Sequence, residues 1–182
     1  MSGVTTPRIW TIGHSNRALE EFTDLLKENS IKQVLDVRKL AGSDKFPHFN
    51  SDVLTESLDA MGIKLWKLEP LDGRRTVSKE IPFEVNAWWE NRSFHNYADH
   101  ALSQEFTEAL TELRDAGSSQ RTAVMCSEAV WWRCHRRIIS DHLLAHHVHV
   151  LHIMGPGKTV NAQLSAGAVL DENTAVRYPK HD

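Results

Sequence analysis

Short apolar runs alternate along the chain with longer segments in which apolar residues recur at helical spacing. Runs of strand length that end in glycine or polar residues are typical of buried strands. The sequence predicts strands at 9–13, 31–37, 63–68, 121–125 and 148–153. Helices are predicted after Asn16, and over 51–61, 94–116 and 131–146, where apolar residues recur every three or four positions.

Strands that alternate with helices imply right-handed crossovers and a largely parallel sheet. We therefore expect an α/β fold, a single domain over 1–182 with a central, mostly parallel sheet flanked by helices. Its core spans about 8–153, and 154–182 forms a C-terminal extension. The chain of 182 residues is long enough to bury a substantial core, and it shows no repeat, low-complexity segment or linker.

Composition narrows the class of protein. With 41% hydrophobic and 25% charged residues, the chain is neither collagen-like nor disordered. Its net charge of −3 provides no overall cationic field for a long polyanion. The first residues lack the apolar region of a secretory signal, and no apolar run approaches the ~20 residues of a membrane span. We expect a soluble, intracellular, cytoplasmic protein with no membrane partner, in which Cys126 and Cys134 are free thiols.

Polar, reactive side chains follow three of the predicted strands. His14 and Ser15 follow the first strand, Asp36 and Arg38 lie at the end of the second, and Cys126 opens a Cys-Ser-Glu triplet after the fourth. Because ligands of open parallel sheets bind beyond the carboxyl ends of the strands, we expect these residues to share one cleft.

Cys126 is the candidate nucleophile of this cleft. It follows an apolar strand and precedes a predicted helix, whose first backbone N–H groups would favour a thiolate or a bound phosphate. Arginine and histidine side chains in the early helix would lower its pKa further. The alternative is that Cys126 simply packs in the core, as free cysteines often do. Cys134 lies at helical spacing from Ile138 and is predicted to belong to the core.

The other cleft residues have predicted roles. His14 is a candidate acid or base, with capping of the following helix as its alternative. Asp36 and Arg38 alternate along an extended chain and should point to opposite sides. Arg38 would hold an anion together with Arg136, and Glu128 would orient a neighbour. The predicted catalytic residues are Cys126, His14, Asp36, Glu128 and His135, and the predicted ligand-binding residues are Ser15, Arg38, Arg133, Arg136 and Trp132.

Two alternative functions stay open from the residues alone. Cys126, Cys134 and His135 could ligate a transition metal, although their spacing is not that of a C-x-x-C site. The tryptophan pairs at 88–89 and 131–132 could stack bases beside arginines, which would make a non-catalytic nucleic-acid-binding module. The sequence identifies no cofactor, and it does not determine the oligomeric state.

Several of these motifs resemble a known family. The quoted stretches are Thr11-Ile-Gly-His-Ser-Asn16, Asp36-Val-Arg38, Phe46-Pro-His-Phe-Asn50, Phe94-x-x-Tyr97-Ala98 and Met125-Cys-Ser-Glu-Ala-Val-Trp-Trp-Arg-Cys-His-Arg-Arg137. Together they resemble the domain-of-unknown-function 488 family from Arg8 to about Val150. Relatives often carry a proline where this chain has Leu40-Ala41. The resemblance implies a small α/β fold and a functional signature at His14, Asp36, Arg38, Cys126, Glu128, Cys134, His135 and Arg136.

The predicted function is an enzyme, a cysteine-dependent transferase or hydrolase, whose cleft binds a phosphate-bearing or nucleotide-like ligand. The site is similar to those of rhodanese-like proteins and cysteine phosphatases. Six residues separate Cys126 from Arg133, one more than in a cysteine phosphatase loop, so the reaction class stays open.

Overall fold

A six-stranded sheet forms the centre of the molecule. The computed structural model describes residues 6–39, 42 and 45–181. The strands of this sheet are β1 (Arg8–Gly13), β2 (Gln33–Asp36), β3 (Lys64–Lys67), β4 (Thr122–Cys126), β5 (His149–Gly155) and β6 (Lys158–Asn161). Their order is β3-β2-β4-β1-β5-β6, and every neighbouring pair is parallel except β5 and β6.

Helices cover both faces of this sheet. In the described residues they are α1 (Leu19–Glu28), α2 (Ser51–Asp59), α3 (Arg92–His100), α4 (Gln104–Ser119) and α5 (Arg136–Ala145). Helices α1 and α2 pack on one face, and α3, α4 and α5 pack on the other. Side chains alternate between the faces along each strand. Met125 therefore packs in the core beneath α1 and α2, and Cys126 packs in the core beneath α3, α4 and α5. The predicted single α/β domain with a mostly parallel sheet is confirmed.

Two predicted helices have different bounds in the structure. The helix expected over 94–116 is divided into α3 and α4, because Ser103 caps a new helix by accepting a hydrogen bond from the Phe106 N–H at 3.1 Å. The helix expected over 131–146 begins only at Arg136, since Cys134 has extended backbone angles and 131–133 form a short 3-10 helix. Helical spacing of apolar residues persists across such breaks, which is why the sequence pattern hides them.

The C-terminal extension packs against the rest of the domain. Residues 158–161 form the edge strand β6, and β7 (Val169–Leu170) pairs with β8 (Val176–Arg177) in a small second sheet. Tyr178 is fully buried, and its hydroxyl donates a hydrogen bond to the Asp141 carboxylate of α5 at 2.7 Å. The core therefore extends beyond the predicted limit at 153.

Two expectations concern residues that the structure does not describe in full. Leu40 and Ala41 lie outside the described residues, as do residues 1–5 at the start of the chain. Among the residues that are described, no helix is both long enough and apolar enough to cross a membrane.

Candidate functional site

The carboxyl ends of β2, β4 and β1 lie side by side in the sheet. Gly13, the last residue of β1, pairs with Cys126, the last residue of β4. Beyond the strands, the His14 N–H donates to the Cys126 carbonyl and the Val37 N–H donates to the Met125 carbonyl, both at 3.0 Å. The three strand ends that the sequence singled out are therefore neighbours.

A cavity of about 390 Å³ opens at this edge of the sheet. Its walls come from the strand ends, from the loop after β3, from the start of α3 and from the segment that leads into α5. The lining residues are Arg38, Lys39, Gly73, Arg74, Asn91, Ser93, Phe94, Tyr97, Cys126, Ser127, Glu128, Arg133, Cys134 and His135.

The two cysteines meet at the wall of this cavity. Their Sγ atoms are 2.8 Å apart, and both thiols are free. Cys126 does not lie at the start of a helix as expected, because the chain forms a loop before α5 begins at Arg136. Cys134 occupies that place instead, and its Sγ accepts a hydrogen bond from the Arg136 N–H at 3.4 Å. The expectation that Cys134 only fills the core is therefore incomplete.

A glycine allows the loop after Cys126 to cross the end of β1. A Cβ atom added at Gly13 would lie 1.7 Å from the Glu128 carbonyl oxygen, so a larger residue would force the backbone apart. The close approach places the Glu128 carbonyl near Arg136, whose Nη2 donates to it at 2.8 Å. Gly13 thus holds the loop in the position that brings Cys134 back to Cys126.

Arg136 is a buried cation beneath the two sulfurs. Its side chain is 1% exposed, and its Nη1 donates to the Thr11 hydroxyl at 3.0 Å. Its Nε is buried without a hydrogen-bond partner among the described residues. The ion pairs of the described residues do not include Arg136, so no carboxylate there neutralises it. Since a buried charge is costly unless it is paired, the neighbouring sulfurs are the groups available to carry the opposite charge.

The environment separates the acidities of the two thiols. Burial raises the pKa of Cys126 well above its ordinary value, and the hydrogen bond with Cys134 raises it further. Burial also opposes ionisation of Cys134, but the hydrogen bond from Cys126 and the charge of Arg136 outweigh it and lower the pKa of Cys134. Of the two thiols, Cys134 is therefore the more acidic, and Cys126 is the less acidic partner.

His135 lies beside Cys134. Its Nε2 lies 3.0 Å from the Val37 carbonyl, to which it donates, so Nδ1 carries the lone pair and can accept the proton of the Cys134 thiol, whose Sγ is 3.5 Å away. Burial lowers the pKa of His135, which keeps the ring neutral. Gly73 packs against the ring, because a Cβ there would lie 2.8 Å from Nδ1.

Asp36 and Arg38 do not point to opposite sides as expected. The strand ends at Asp36 and the chain turns, so the Arg38 N–H donates to the Asp36 carboxylate at 2.9 Å. The Arg38 guanidinium makes a two-point ion pair with the same carboxylate, at 3.0 and 2.9 Å, and also donates to the Phe49 carbonyl at 2.7 Å. Alternation applies within the strand, and Arg38 is already beyond it.

His14 lies behind Arg38 and is not among the residues that line the cavity. Its Nε2 is 3.2 Å from Nη1 of Arg38, and its Nδ1 is 2.9 Å from the Ser15 carbonyl, so Nδ1 donates and Nε2 accepts. Burial lowers the pKa of His14 to about 4. Both ring nitrogens of this neutral histidine are occupied, an arrangement that fixes Arg38 and leaves no free nitrogen for proton transfer.

The cavity has a net positive rim. Lys39, Arg74 and Arg133 are exposed, and their side chains have neither a hydrogen-bond nor an ion-pair partner among the described residues. Of the lining residues described, Glu128 alone contributes a carboxylate. Three cationic side chains without a partner among the described residues, against one carboxylate, favour the binding of an anion.

Comparison of the sequence with known families identifies the family of the chain. The profile described as domain of unknown function DUF488 matches residues 18–143, which is more than half of the chain. The chain belongs to the DUF488 family. Comparison with curated proteins and with solved structures finds no match.

Three predicted ligand-binding residues of this DUF488 protein do not line the cavity: Ser15, Trp132 and Arg136, which is buried beneath it. Trp132 is 45% exposed and borders a separate cavity of about 350 Å³ with Trp131 and Lys158. Ser15 is half-buried with a left-handed backbone (φ 49°), and its N–H donates to the Ser127 carbonyl. Ser15 thus fastens the loop after β4 through its backbone.

The metal and nucleic-acid alternatives gain no support from this arrangement. The structure brings Cys126, Cys134 and His135 together, but no group of three or more histidine, cysteine or acidic side chains in the described ranges is arranged to hold a metal ion. Trp89 is buried and Trp88 packs against it, so this pair serves the core. Both alternatives stay predictions.

The sequence reasoning missed part of the cavity wall of the DUF488 protein. Lys39, Asn91 and Ser93 line it but belong to no recognised motif. Phe94 and Tyr97 were noted only through the family resemblance. These five residues come from separate parts of the chain, the loop after β2, the segment before α3 and α3 itself. Only the order of the strands in the sheet shows that these parts meet at one cavity.

Proposed function

We propose that this DUF488 protein is a cysteine-dependent enzyme in which Cys134 is the nucleophile toward a small, phosphate-bearing anion. One observation carries the proposal. Arg136 is a buried guanidinium whose charge acts on both cysteines, and it has no carboxylate partner among the described residues. An ionised Cys134 satisfies the charge of Arg136, and Arg136 in turn keeps Cys134 ionised.

Three groups stabilise the proposed thiolate together. Arg136 supplies a positive charge, the first N–H of α5 donates to Sγ, and the Cys126 Sγ lies 2.8 Å away, so that its S–H can turn from the Glu128 carbonyl and donate to an ionised Cys134. A thiolate is the nucleophilic form of cysteine, and helix N-termini and neighbouring cations are the usual means of stabilising it. The predicted role of Cys126 as nucleophile thereby passes to Cys134.

The charge of the cavity sets the class of ligand. Lys39, Arg74 and Arg133 can each bind a phosphate oxygen without breaking an interaction within the described residues. Phe94 and Tyr97 offer apolar wall opposite them, which suits the organic part of a nucleotide-like molecule.

In the proposed reaction, the Cys134 Sγ forms a bond to the phosphorus atom with its own electron pair. The bond to the leaving oxygen breaks, and that oxygen departs with its electrons and takes a proton from water. The oxygen of a water molecule, or of another acceptor, then forms a bond to phosphorus and gives its proton to solvent. The P–S bond breaks, and its electron pair returns to the Cys134 Sγ as the thiolate. The acceptor determines whether the protein acts as a hydrolase or as a transferase.

Alkylation by iodoacetamide tests the proposal. Near neutral pH the native protein should be labelled at Cys134 before Cys126, as located by peptide mass spectrometry, and inorganic phosphate should slow the labelling. Lys39→Gln should weaken the protection by phosphate. Lys32→Gln is the matched control, because Lys32 is also exposed but lies at the opposite end of β2.

Two results would overturn the proposal. Labelling that occurs only after denaturation would show that Cys134 is unavailable in the folded protein. If labelling is fast but phosphate does not slow it, in the original chain and in both lysine variants, the cavity does not bind phosphate and the proposed class of ligand is refuted.

A further inference from the structure

The two sulfurs lie in direct contact beside the cavity, yet the proposed reaction uses only one of them as a nucleophile. Cys126 and Cys134 are eight positions apart in sequence and 2.8 Å apart at Sγ. Cys134 is 6% exposed and Cys126 is 2% exposed, and both line the cavity. A small neutral molecule that enters the cavity therefore meets Cys134 with a second thiol directly behind it.

We propose that Cys134 is an oxidation site for hydrogen peroxide and small hydroperoxides, and that Cys126 converts the oxidised product into an intramolecular disulfide. The inference shares the reactive Cys134 with the proposed function and adds a reversible means of switching the same site off. It requires no bound anion.

The chemistry balances with peroxide as the oxidant. The Cys134 thiolate attacks one peroxide oxygen, the O–O bond breaks, and the departing hydroxide takes a proton to become water. The sulfur of Cys126 then attacks Sγ of the resulting sulfenic acid. The S–OH bond breaks, and the second hydroxide leaves with the proton of Cys126. Two thiols and one hydrogen peroxide molecule give one disulfide and two water molecules.

The geometry favours Cys126 over any external thiol in the second step. A disulfide bond measures about 2.05 Å, so the two sulfurs need to approach by less than about 1 Å. Groups held in contact react as if at very high concentration, which offsets the weak nucleophilicity of a buried, protonated thiol. The loop between the cysteines already brings their side chains together, so no element of the sheet has to move.

Disulfide formation consumes the negative charge that faces Arg136. The nucleophile of the proposed reaction is lost, and the guanidinium keeps only its hydrogen bonds to the Thr11 hydroxyl and the Glu128 carbonyl among the described residues. A reducing dithiol that enters the cavity restores both thiols, because it can exchange with the disulfide at Cys134, which lines the cavity.

Intact-mass spectrometry of the full chain tests the inference. After exposure to hydrogen peroxide and its removal, the protein should have lost two hydrogen atoms, and both thiols should resist iodoacetamide until dithiothreitol is added. Peptide mapping should find Cys126 linked to Cys134. The variant Cys126→Ser should instead retain a sulfenic acid at Cys134, which dimedone traps as a covalent adduct.

The possible results separate this inference from the proposed function. If Cys134 is alkylated rapidly but peroxide produces neither the linked peptides nor a dimedone adduct, the oxidation site is refuted and the nucleophile survives. If peroxide links the cysteines while phosphate does not affect alkylation, the phosphate ligand is refuted and the oxidation site survives. Linkage between different chains, or overoxidation of Cys134 in place of the disulfide, would refute the role of Cys126. The peptide map needs no variant, so it decides the question even if a cysteine variant fails to fold.

Discussion

The charge of Arg136 should control the acidity of Cys134, and replacing it provides the strongest test of the site. Arg136→Met removes the charge and keeps most of the length of the side chain, while Arg136→Lys retains a charge as the matched control. Two unit charges about 4 Å apart attract each other by about 4 kcal/mol at an effective dielectric constant of about 20. That energy corresponds to about 3 pKa units, which is the largest shift that loss of the guanidinium could cause.

The helix N–H and the Cys126 thiol remain in the variant, so the rise in the pKa of Cys134 should be about 1–3 units. Alkylation of Cys134 near neutral pH should then slow by about tenfold or more, since only the thiolate reacts. The assay is the rate of iodoacetamide labelling measured against pH, with circular dichroism to verify the fold. An unchanged pH profile in a folded Arg136→Met protein, with Arg136→Lys also unchanged, would refute the pairing of this cation with the thiolate.

Two further predictions concern stability. Gly13→Ala should destabilise the fold by about 3 kcal/mol or more, because the added Cβ meets the Glu128 carbonyl at 1.7 Å. Gly155→Ala, where nothing lies within 4 Å of the added Cβ, should be nearly neutral in the same urea titration, and equal losses in both would contradict the packing argument. Burial lowers the pKa of His142 to about 3, so this residue stays neutral in the folded protein while the unfolded chain binds a proton below pH 6.5. Stability should therefore fall as the pH drops from 6.5 toward 3, with His142 contributing about 1.4 kcal/mol per pH unit. His142→Leu should remove that contribution, and an unchanged slope between pH ~6.5 and ~5 would refute it.

The sequence predicted the strands well because buried strands of a parallel sheet are short, continuous apolar runs. All five expected strands are present, and the strand ends with His14, Arg38 and Cys126 converge as the rule for parallel sheets requires. The edge strand β6 was missed, since its four residues are mostly polar and exposed and resemble a polar tail.

The chemistry of the site was harder to predict, because it depends on a loop that local patterns do not describe. Cys134 fits the helical spacing of α5, so the pattern assigns it to the core, whereas its extended backbone turns it toward Cys126. The ion pair between Asp36 and Arg38 depends on where β2 ends. Because the strand ends at Asp36, the chain can turn and bring the Arg38 side chain back to the Asp36 carboxylate. Arg136 was predicted to hold an anion in the cleft, whereas it does not line the cavity; its burial without a carboxylate partner among the described residues is a property of the packed structure.

The position of β1 in the sheet has a consequence for synthesis on the ribosome. This first strand lies between β4 and β5, which the ribosome produces more than a hundred residues later. Until then, both hydrogen-bonding edges of the N-terminal strand have no native partner within the sheet. Such long-range pairing slows folding and exposes strand edges. The newly made chain therefore completes its sheet late, and the cysteine site, which depends on β1, β4 and α5 together, is among the last parts to assemble.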